Sequence, residues 1–122
     1  MIKLTFCLRR KPELSREEFQ AYWRGEHAEL VKQHSEVLNI RRYVQSHTDH
    51  GAVNEALQSG RQVEIEAYDG VAELWFDSVE AMMVQASDPA AAKAGAELVE
   101  DEARFIDLAN SPIFVTSENF VV

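Results

Sequence analysis

The stretch from Ser15 to His34 constrains the fold of this chain more than any other. Ser15, followed three residues later by Glu18, forms the capping box that begins a helix. Large apolar and aromatic side chains then recur at helical spacing on one side. The stripe comprises Phe19, Trp23, Leu30 and His34, with Tyr22, His27 and Val31 at its margins. We therefore expect an amphipathic helix that packs its aromatic side against another apolar surface.

Four other segments have the alternation of strands and two more have helix signals. The predicted strands are Ile2 to Arg10, Val37 to His47, Asp69 to Phe76 and Ile113 to Val122. A helix over residues 79–86 is expected to begin at the cap Asp77, and an Ala-rich helix runs from Asp88-Pro89 to about Phe105. The order strand, helix, strand, strand, helix, strand predicts a ferredoxin-like split β-α-β repeat in the α+β class, with a four-stranded antiparallel sheet and helices on one face.

Alternation also assigns the strand side chains to the two faces of the sheet. The residues expected under the helices are Ile2, Leu4, Phe6, Leu8, Leu38, Ile40, Leu74 and Phe76. Those expected on the other face are Cys7, Tyr43, Val71 and Trp75, beside Lys3, Thr5, Arg41, His47 and Glu73. This much aromatic and apolar surface on one face predicts a partner. Two such sheets meeting face to face would enclose a mixed polar and aromatic cavity.

Composition limits the kinds of partner. The formal net charge of -9 argues against nucleic acid and anionic membranes, which both bind a basic face. No apolar run reaches the ~20 residues of a membrane span. Cys7 is the single cysteine and the first residues lack the order of a signal peptide, so a cytoplasmic protein is expected. Residues 1–122 are expected to form one domain, with residues 48–62 as an insertion or lid.

Three segments together resemble the EthD-type family of dimeric α/β barrels. The first carries S-x-x-x-F-x-x-Y-W-x-x-x-H from Ser15 to His27, and the others are YDGVAELWFDS at residues 68–78 and DEARFID at residues 101–107. The resemblance implies a ferredoxin-like fold that forms a homodimer through its sheets, with a cavity between sheet and helices in each subunit. Wider relatives include polyketide cyclases and dehydratases, anthrone-type monooxygenases and muconolactone-type isomerases, which mostly work without a metal or organic cofactor.

His27 is the favoured candidate for a catalytic base. A neutral imidazole at the rim of an aromatic pocket can accept a proton from an acidic carbon or phenol, because its pKa lies near working pH. The alternative is a structural histidine at a helix end, bonded to backbone carbonyls.

A second candidate set is His47, Tyr43 and Glu73. If these side chains enter one cavity, they supply a base, a hydrogen-bond donor and an orienting carboxylate for enolate chemistry. The alternative is a polar interface between two sheets, in which Glu73 pairs with Arg41 or Lys3.

The predicted substrate-binding residues are Tyr22, Trp23, Trp75, Arg41 and Cys7. The two tryptophans suit an aromatic-walled pocket for a flat ligand, although ordinary core packing is the alternative. Cys7 is either a nucleophile or a small buried apolar residue. The acidic run over residues 97–102 is interpreted as a solvated face.

Neither a metal nor a nucleotide cofactor is expected. The histidines at positions 34, 47 and 50 fit no standard ligand spacing, and glycine-rich phosphate loops are absent. The expected function is cofactor-independent acid–base chemistry on a small, flat aromatic or polyketide-like compound: cyclisation, dehydration or isomerisation. The alternatives are a cofactor-independent monooxygenase and a non-catalytic ligand-binding dimer.

Overall fold

The computed structural model describes residues 1–122. Its elements are β1 (Ile2–Leu8), α1 (Arg16–Tyr22), a π-helical turn (Trp23–His27), α2 (Ala28–His34), β2 (Arg42–His47), α3 (Gly51–Ser59), β3 (Gly70–Phe76), α4 (Val79–Met82), a 3₁₀ turn (Met83–Ala86), α5 (Pro89–Glu102), a second 3₁₀ turn (Leu108–Asn110) and β4 (Ile113–Thr116). The sheet order is β2-β3-β1-β4, and all neighbouring strands are antiparallel. The predicted ferredoxin-like arrangement is confirmed.

The helix starts follow from local hydrogen bonds. The Glu18 N–H donates to Ser15 Oγ at 3.1 Å and the Ser15 N–H donates to Glu18 Oε1 at 2.9 Å, which completes the predicted capping box. Asp88 caps α5 through the N–H of Ala90. Ser78, rather than the predicted Asp77, caps α4, because its Oγ accepts the N–H of Ala81.

The second strand begins later than predicted. It spans Arg42–His47, although the alternation placed its start at Val37. Asn39 has a φ of 60°, a left-handed conformation that Asn adopts more readily than most residues. This residue ends the helical turn that follows α2, so Leu38 and Ile40 reach the core from a turn and not from a strand.

The later start moves Tyr43 and His47 to the helix-covered face. Tyr43 pairs with Leu74 and packs against the core beneath the helices. His47 pairs with Gly70, and its ring centroid lies 4.3 Å from that of Trp23. The prediction that both residues face a partner subunit is therefore wrong, since a register that differs by one residue reverses the faces of a strand.

The core fills the space between the sheet and the helices. One cluster joins β1 and β3 to α1 and the π turn, and a second joins α2 to α5. The first cluster comprises Phe6, Leu8, Phe19, Trp23, Ala72, Phe105 and Ile106. The second comprises Val31, Leu38, Ala91, Ala94 and Leu98. Both α2 and α5 therefore lie on the same side of the sheet and flank a common interior.

Buried Asp69 ties the end of β1, the start of α1 and the start of β3 together. Its carboxylate accepts hydrogen bonds from the Arg10 N–H at 2.8 Å and from the Arg10 Nη1 at 2.5 Å. Arg16 Nε donates to the same carboxylate at 3.0 Å. Burial opposes ionisation of Asp69, but these donors outweigh it and lower its pKa below 3.8. This ion cluster fixes the entry of the first helix relative to the sheet.

The face of the sheet away from the helices carries charged and aromatic groups. Lys3 Nζ lies 2.7 Å from Glu73 Oε2. Trp75 lies beneath two cations, with Lys3 Nζ 5.5 Å and the Arg42 guanidinium carbon 4.8 Å from its ring centroid. Its Nε1 donates to Glu118 Oε1 at 2.8 Å. We call this surface the open face.

Helix α3 lies within the segment predicted to be an insertion, and none of its residues is buried. Val53 and Leu57 expose more than half of their surface. Its proposed role as a lid stays a prediction. None of the helices combines the length and hydropathy needed to cross a membrane.

Candidate functional site

A π-helical turn positions the candidate base. The buried residues of the first helical stretch are Phe19, Trp23, His27 and Val31, which are four residues apart. Positions four apart drift around the axis of a regular helix with ~3.6 residues per turn, and the wider π turn compensates for that drift. His27 and Val31 are therefore buried, although the sequence placed them at the margins of the stripe. Such turns occur frequently at functional sites.

His27 forms a hydrogen-bonded dyad with Asp101 of α5. Its Nδ1 lies 2.7 Å from Asp101 Oδ2, and only 4% of the residue is exposed. The Tyr22 hydroxyl donates to Asp101 Oδ1 at 2.6 Å. Burial and this hydrogen bond raise the pKa of Tyr22 to about 12, so the phenol remains a donor. The carboxylate is thus held by two neighbours on the first helical stretch.

The dyad leaves one nitrogen of His27 available. Burial lowers the pKa of His27 below 6.5, although the bond to Asp101 acts in the opposite direction. The neutral ring donates its Nδ1–H to the carboxylate, so Nε2 carries the lone pair. The hydrogen bonds of the His27 side chain go to Asp101 alone. This arrangement has the geometry of a base oriented by a carboxylate.

Glu102 brings a second titratable group to the same interior. It follows Asp101 on α5, and burial followed by the negative charge of Asp101 raises its pKa to about 7. Its side chain makes no hydrogen bond within the protein. The interpretation of residues 97–102 as a solvated face is therefore wrong for Asp101 and Glu102, because both lie on the inner side of α5.

A hydrogen-bonded chain along β2 fixes the Tyr43 hydroxyl. Trp23 Nε1 donates to Tyr43 Oη at 3.1 Å, and Gln45 Nε2 donates to the same oxygen at 3.0 Å and to the Trp23 carbonyl at 2.8 Å. His47 Nε2 lies 2.8 Å from Gln45 Oε1. Burial and the charge of Arg24 lower the pKa of His47, so its ring is neutral. Its Nδ1 is buried and has no partner.

Two adjoining cavities lie between the sheet, α2 and α5. The inner cavity is small, about 50 Å³, and His27, Tyr43 and Glu102 supply its polar groups. The outer cavity measures about 210 Å³, and ten of its thirteen lining residues are hydrophobic. The two share Phe6, Leu74, Leu98 and Glu102. Glu102 thus lies where a molecule in the outer cavity would approach the dyad.

The largest concavity lies elsewhere. A groove of about 540 Å³ runs between the end of β2 and α3, and His47 is the predicted site residue that contacts it. The groove is shallow and open to solvent. The smaller interior cavities are better suited to chemistry, because they are more enclosed and are lined by titratable groups with free hydrogen-bonding capacity. No cluster of three His, Cys, Asp or Glu side chains is arranged to hold a metal ion.

Comparison with known proteins identifies the family. The model of the EthD domain matches residues 11–109. The chain belongs to the EthD domain family. The resemblance seen in its motifs is therefore confirmed. No curated protein sequence matches the chain.

Solved structures share the EthD fold at low identity. An ethyl tert-butyl ether D family protein from Bacillus halodurans has a TM-score of 0.63 at 15% identity, covering 98% of this chain and 99% of its own. A protein from Arabidopsis thaliana has a TM-score of 0.59 at 17% identity, covering 100% and 99%. A dimeric protein of unknown function with a ferredoxin-like fold from Bacteroides fragilis has a TM-score of 0.60 at 12% identity, covering 96% and 95%.

Within this EthD domain the predicted site residues fall into two groups. His27, Tyr43 and Trp23 line the inner cavity, Tyr22 contacts the dyad through Asp101, and His47 reaches Tyr43 through Gln45. Their catalytic and binding roles stay predictions.

The remaining predicted residues lie away from the cavities. Glu73, Trp75 and Cys7 are on the open face, where Cys7 pairs with Val71. The expected convergence of Glu73 with Tyr43 and His47 is therefore wrong, because opposite faces of the sheet separate them. Arg41 is exposed, and its Nε lies 3.3 Å from Asp77 Oδ1.

Sequence reasoning missed Asp101, Glu102 and Gln45. A signal existed for the first two, since Leu98 and Phe105 lie one turn before and one turn after them on the buried side of the chain. Gln45 carried no such signal, because an amide at a strand position is usually solvated.

Proposed function

We propose that this EthD domain is an enzyme that transfers protons on a small organic molecule without a cofactor. The observation that carries the proposal is the His27–Asp101 dyad beside an apolar cavity. His27 is the base, Asp101 orients its ring and stabilises the imidazolium that forms, and Tyr22 holds Asp101. Buried titratable groups with shifted pKa values are typical of active sites.

Glu102 supplies the complementary acid. With a pKa of about 7 it is partly protonated at neutral pH, while His27 is unprotonated. A proton removed by His27 Nε2 leaves an electron pair on the substrate, and the Glu102 carboxyl can protonate the substrate at another atom. Protonation at that second atom completes an isomerisation. If the anion instead attacks another carbon of the substrate, the result is cyclisation; if it expels a hydroxyl group that Glu102 protonates to water, the result is dehydration.

A carbanion formed by the same base could instead reduce dioxygen, as in the monooxygenase alternative. The first proton transfer is common to both reactions. The product distinguishes them, because oxygenation adds an oxygen atom to the compound and isomerisation leaves its mass unchanged.

We also propose that the functional unit is a homodimer joined through the open face. Aromatic and aliphatic side chains, including Trp75, Phe114 and Val71, lie on this face among a few charges. The related Bacteroides fragilis protein is described as dimeric. Trp75→Glu should convert a dimer to monomers in native mass spectrometry, whereas Val53→Glu on exposed α3 should leave the dimer intact. A monomeric wild type would contradict this assembly.

The enzymatic proposal is tested on protein purified from its own host. Native mass spectrometry reports any retained small molecule, which is then incubated with the protein in D₂O and followed by NMR. His27→Gln should lower the rate of exchange or rearrangement by roughly 10²- to 10⁴-fold.

His34→Gln is the matched control for this variant. His34 Nε2 lies 2.7 Å from Glu97 Oε2, so this pair also joins α2 to α5, but away from the cavities. An equal loss in both variants would indicate a structural effect. A compound that the wild type retains but never alters would favour the non-catalytic binder.

A further inference from the structure

The Tyr43 hydroxyl has its proton free for a ligand. Trp23 Nε1 can only donate, and Gln45 Nε2 must also donate because its other partner is a backbone carbonyl. Both acceptor sites of the Tyr43 oxygen are therefore occupied by N–H groups. Its own O–H has no acceptor in the protein, and Tyr43 lines the inner cavity. Burial raises the pKa of Tyr43, so the phenol keeps this proton.

His47 extends this chain of hydrogen bonds. Gln45 Oε1 is only an acceptor, so His47 Nε2 carries the proton and Nδ1 is the bare nitrogen. The Gln45 amide is prevented from flipping by the Trp23 backbone carbonyl, which accepts from Nε2 and would face Oε1 in the flipped amide. His47 and Gln45 are thus positioning residues for the hydroxyl of Tyr43.

The charges around the cavities disfavour an anionic ligand. Neither cavity is lined by a Lys or Arg side chain. The acidic groups beside the ligand space are Asp101 and Glu102. Arg104 Nε lies 3.4 Å from Asp101 Oδ1, but Arg104 is exposed and lines neither cavity, so the two carboxyls disfavour a further negative charge there. An uncharged molecule with an oxygen acceptor fits both the free O–H and this charge distribution.

The volume limits the ligand to about one ring. The outer cavity of about 210 Å³ is somewhat larger than an engineered apolar cavity of ~150 Å³ in another protein that binds benzene. It is smaller than the ~300–1,000 Å³ typical of pockets for drug-sized ligands. Of the expected flat aromatic or polyketide-like compounds, one with a single ring fits this space and one with several fused rings exceeds it.

We infer that the substrate is a small uncharged carbonyl compound of about one ring, whose oxygen accepts the hydrogen bond of Tyr43. This inference rests on the proposed proton transfer. His27 Nε2 takes a proton from the carbon next to the carbonyl, and the C–H electron pair moves onto the oxygen as an enolate. The Tyr43 O–H stabilises that oxygen, and return of a proton to carbon completes the cycle without an oxidant.

Binding is tested with probes matched in shape. Acetophenone, benzoate and ethylbenzene each carry one ring with a substituent of two or three non-hydrogen atoms, but they differ in charge and in the carbonyl. Ligand-detected NMR should show acetophenone binding at least about tenfold tighter than the other two, and tighter than the three-ring ketone fluorenone. Benzoate, ethylbenzene or fluorenone binding equally well would overturn the inference.

Variants test the role of Tyr43. Tyr43→Phe should weaken acetophenone binding about tenfold, the usual effect of one lost neutral hydrogen bond. Gln45→Glu keeps the Tyr43 side chain but places a carboxylate oxygen beside it. The Tyr43 O–H would donate to that oxygen and no longer to a ligand, so binding should weaken by a similar factor. Tyr68→Phe, which alters the distant groove, should change nothing. Unchanged affinity in both folded Tyr43 and Gln45 variants would overturn the inference.

A second readout separates this inference from the proposed function. Wild type in D₂O should deuterate the methyl group of acetophenone faster than His27→Gln does. Tyr43-dependent binding without His27-dependent deuteration would leave the substrate class standing and reject proton transfer. Deuteration that depends on His27 but not on Tyr43 would support the proton transfer and reject the inferred role of Tyr43 in holding the substrate.

Discussion

Gly70 lies directly against the indole ring of Trp23. A Cβ atom at position 70 would approach Trp23 Cζ3 to 2.3 Å and the Ser46 carbonyl oxygen to 2.9 Å. The absence of a side chain on this strand residue therefore allows the Trp23 ring to approach β3 closely. Trp23 in turn donates the hydrogen bond that fixes the Tyr43 hydroxyl.

Gly70→Ala should therefore destabilise the protein and disturb the site. Overpacking of this kind typically costs about 1–3 kcal/mol, measured as a lower midpoint in urea denaturation. Gly25→Ala is the control, because its Cβ would meet nothing within 4 Å. Alanine in a helical turn should be neutral or stabilising by up to ~1 kcal/mol. Equal stability of the Gly70 variant and the wild type would contradict the packing described.

Asp101→Asn should impair catalysis more than it impairs folding. The amide preserves the shape of the carboxylate but can donate to Nδ1, which would place the ring proton on Nε2 and remove the base. We expect a rate loss of roughly 10²- to 10⁴-fold in the deuterium-exchange assay. Nitrogen NMR of the imidazole should show the changed tautomer directly.

Glu97→Gln is the control for the Asp101 variant, since it changes the other His–carboxylate pair between α2 and α5. It should retain the wild-type rate. If the two variants lose activity to the same extent, His27 and Asp101 have no special role.

Glu102→Gln should change how stability depends on pH. The folded pKa of Glu102 is about 7, above its ordinary 4.5, so the folded protein keeps a proton that the unfolded chain releases. The stability due to that proton is complete below pH 4.5 and is lost as the pH rises to about 7. The neutral amide avoids this loss, so the variant should gain on the order of 3 kcal/mol relative to wild type between pH 4 and pH 8.

Chemical denaturation at several pH values measures this effect. Glu100→Gln, an exposed position one residue before Asp101, should show the wild-type dependence. Parallel curves of stability against pH for wild type and Glu102→Gln would mean that folding does not raise the pKa of Glu102.

Asp69→Asn should be among the most destabilising changes at a charged residue. It leaves Arg10 and Arg16 without their buried partner, and loss of a buried ion-pair partner typically costs ~3–5 kcal/mol. We expect about 2–4 kcal/mol, because both arginines are about one-third exposed. The folded pKa is lowered, so this contribution is present above pH 3.8 and is lost as the pH falls further.

Asp77→Asn is the comparison for Asp69. Its partner Arg41 is exposed, and an exposed ion pair contributes about 0–1 kcal/mol. Thermal unfolding of both variants at pH 7 and pH 3 separates them. The difference between the wild type and Asp69→Asn should be smaller at pH 3 than at pH 7; a constant difference would assign the loss to packing.

The sequence predicted the architecture well because the relevant signals are local. The Ser15 cap, the Asp88 cap and the alternation in β1 and β3 each determine their element within a few residues. The face of β2 was predicted wrongly because Asn39 adopts a left-handed conformation that no alternation pattern reveals.

The candidate site was predictable in part. His27 and Tyr43 were identified as chemically useful groups, but their partners were not, because Asp101 and Gln45 reach them across the tertiary structure. The shifted pKa of Glu102 depends on its burial against the sheet. In the sequence Glu102 is one of several acidic residues close together, and nothing there indicates which of them is buried.

The π turn has a consequence for comparing EthD sequences. It holds one residue more than a regular helical turn, so a relative that lacks one residue between positions 23 and 27 can form a regular α-helix here and keep the following helix in nearly the same orientation. A one-residue gap in an alignment would therefore not by itself turn the histidine away from the cavity. Inheritance of this site is better judged from whether a relative keeps both the histidine and its carboxylate partner on the facing helix.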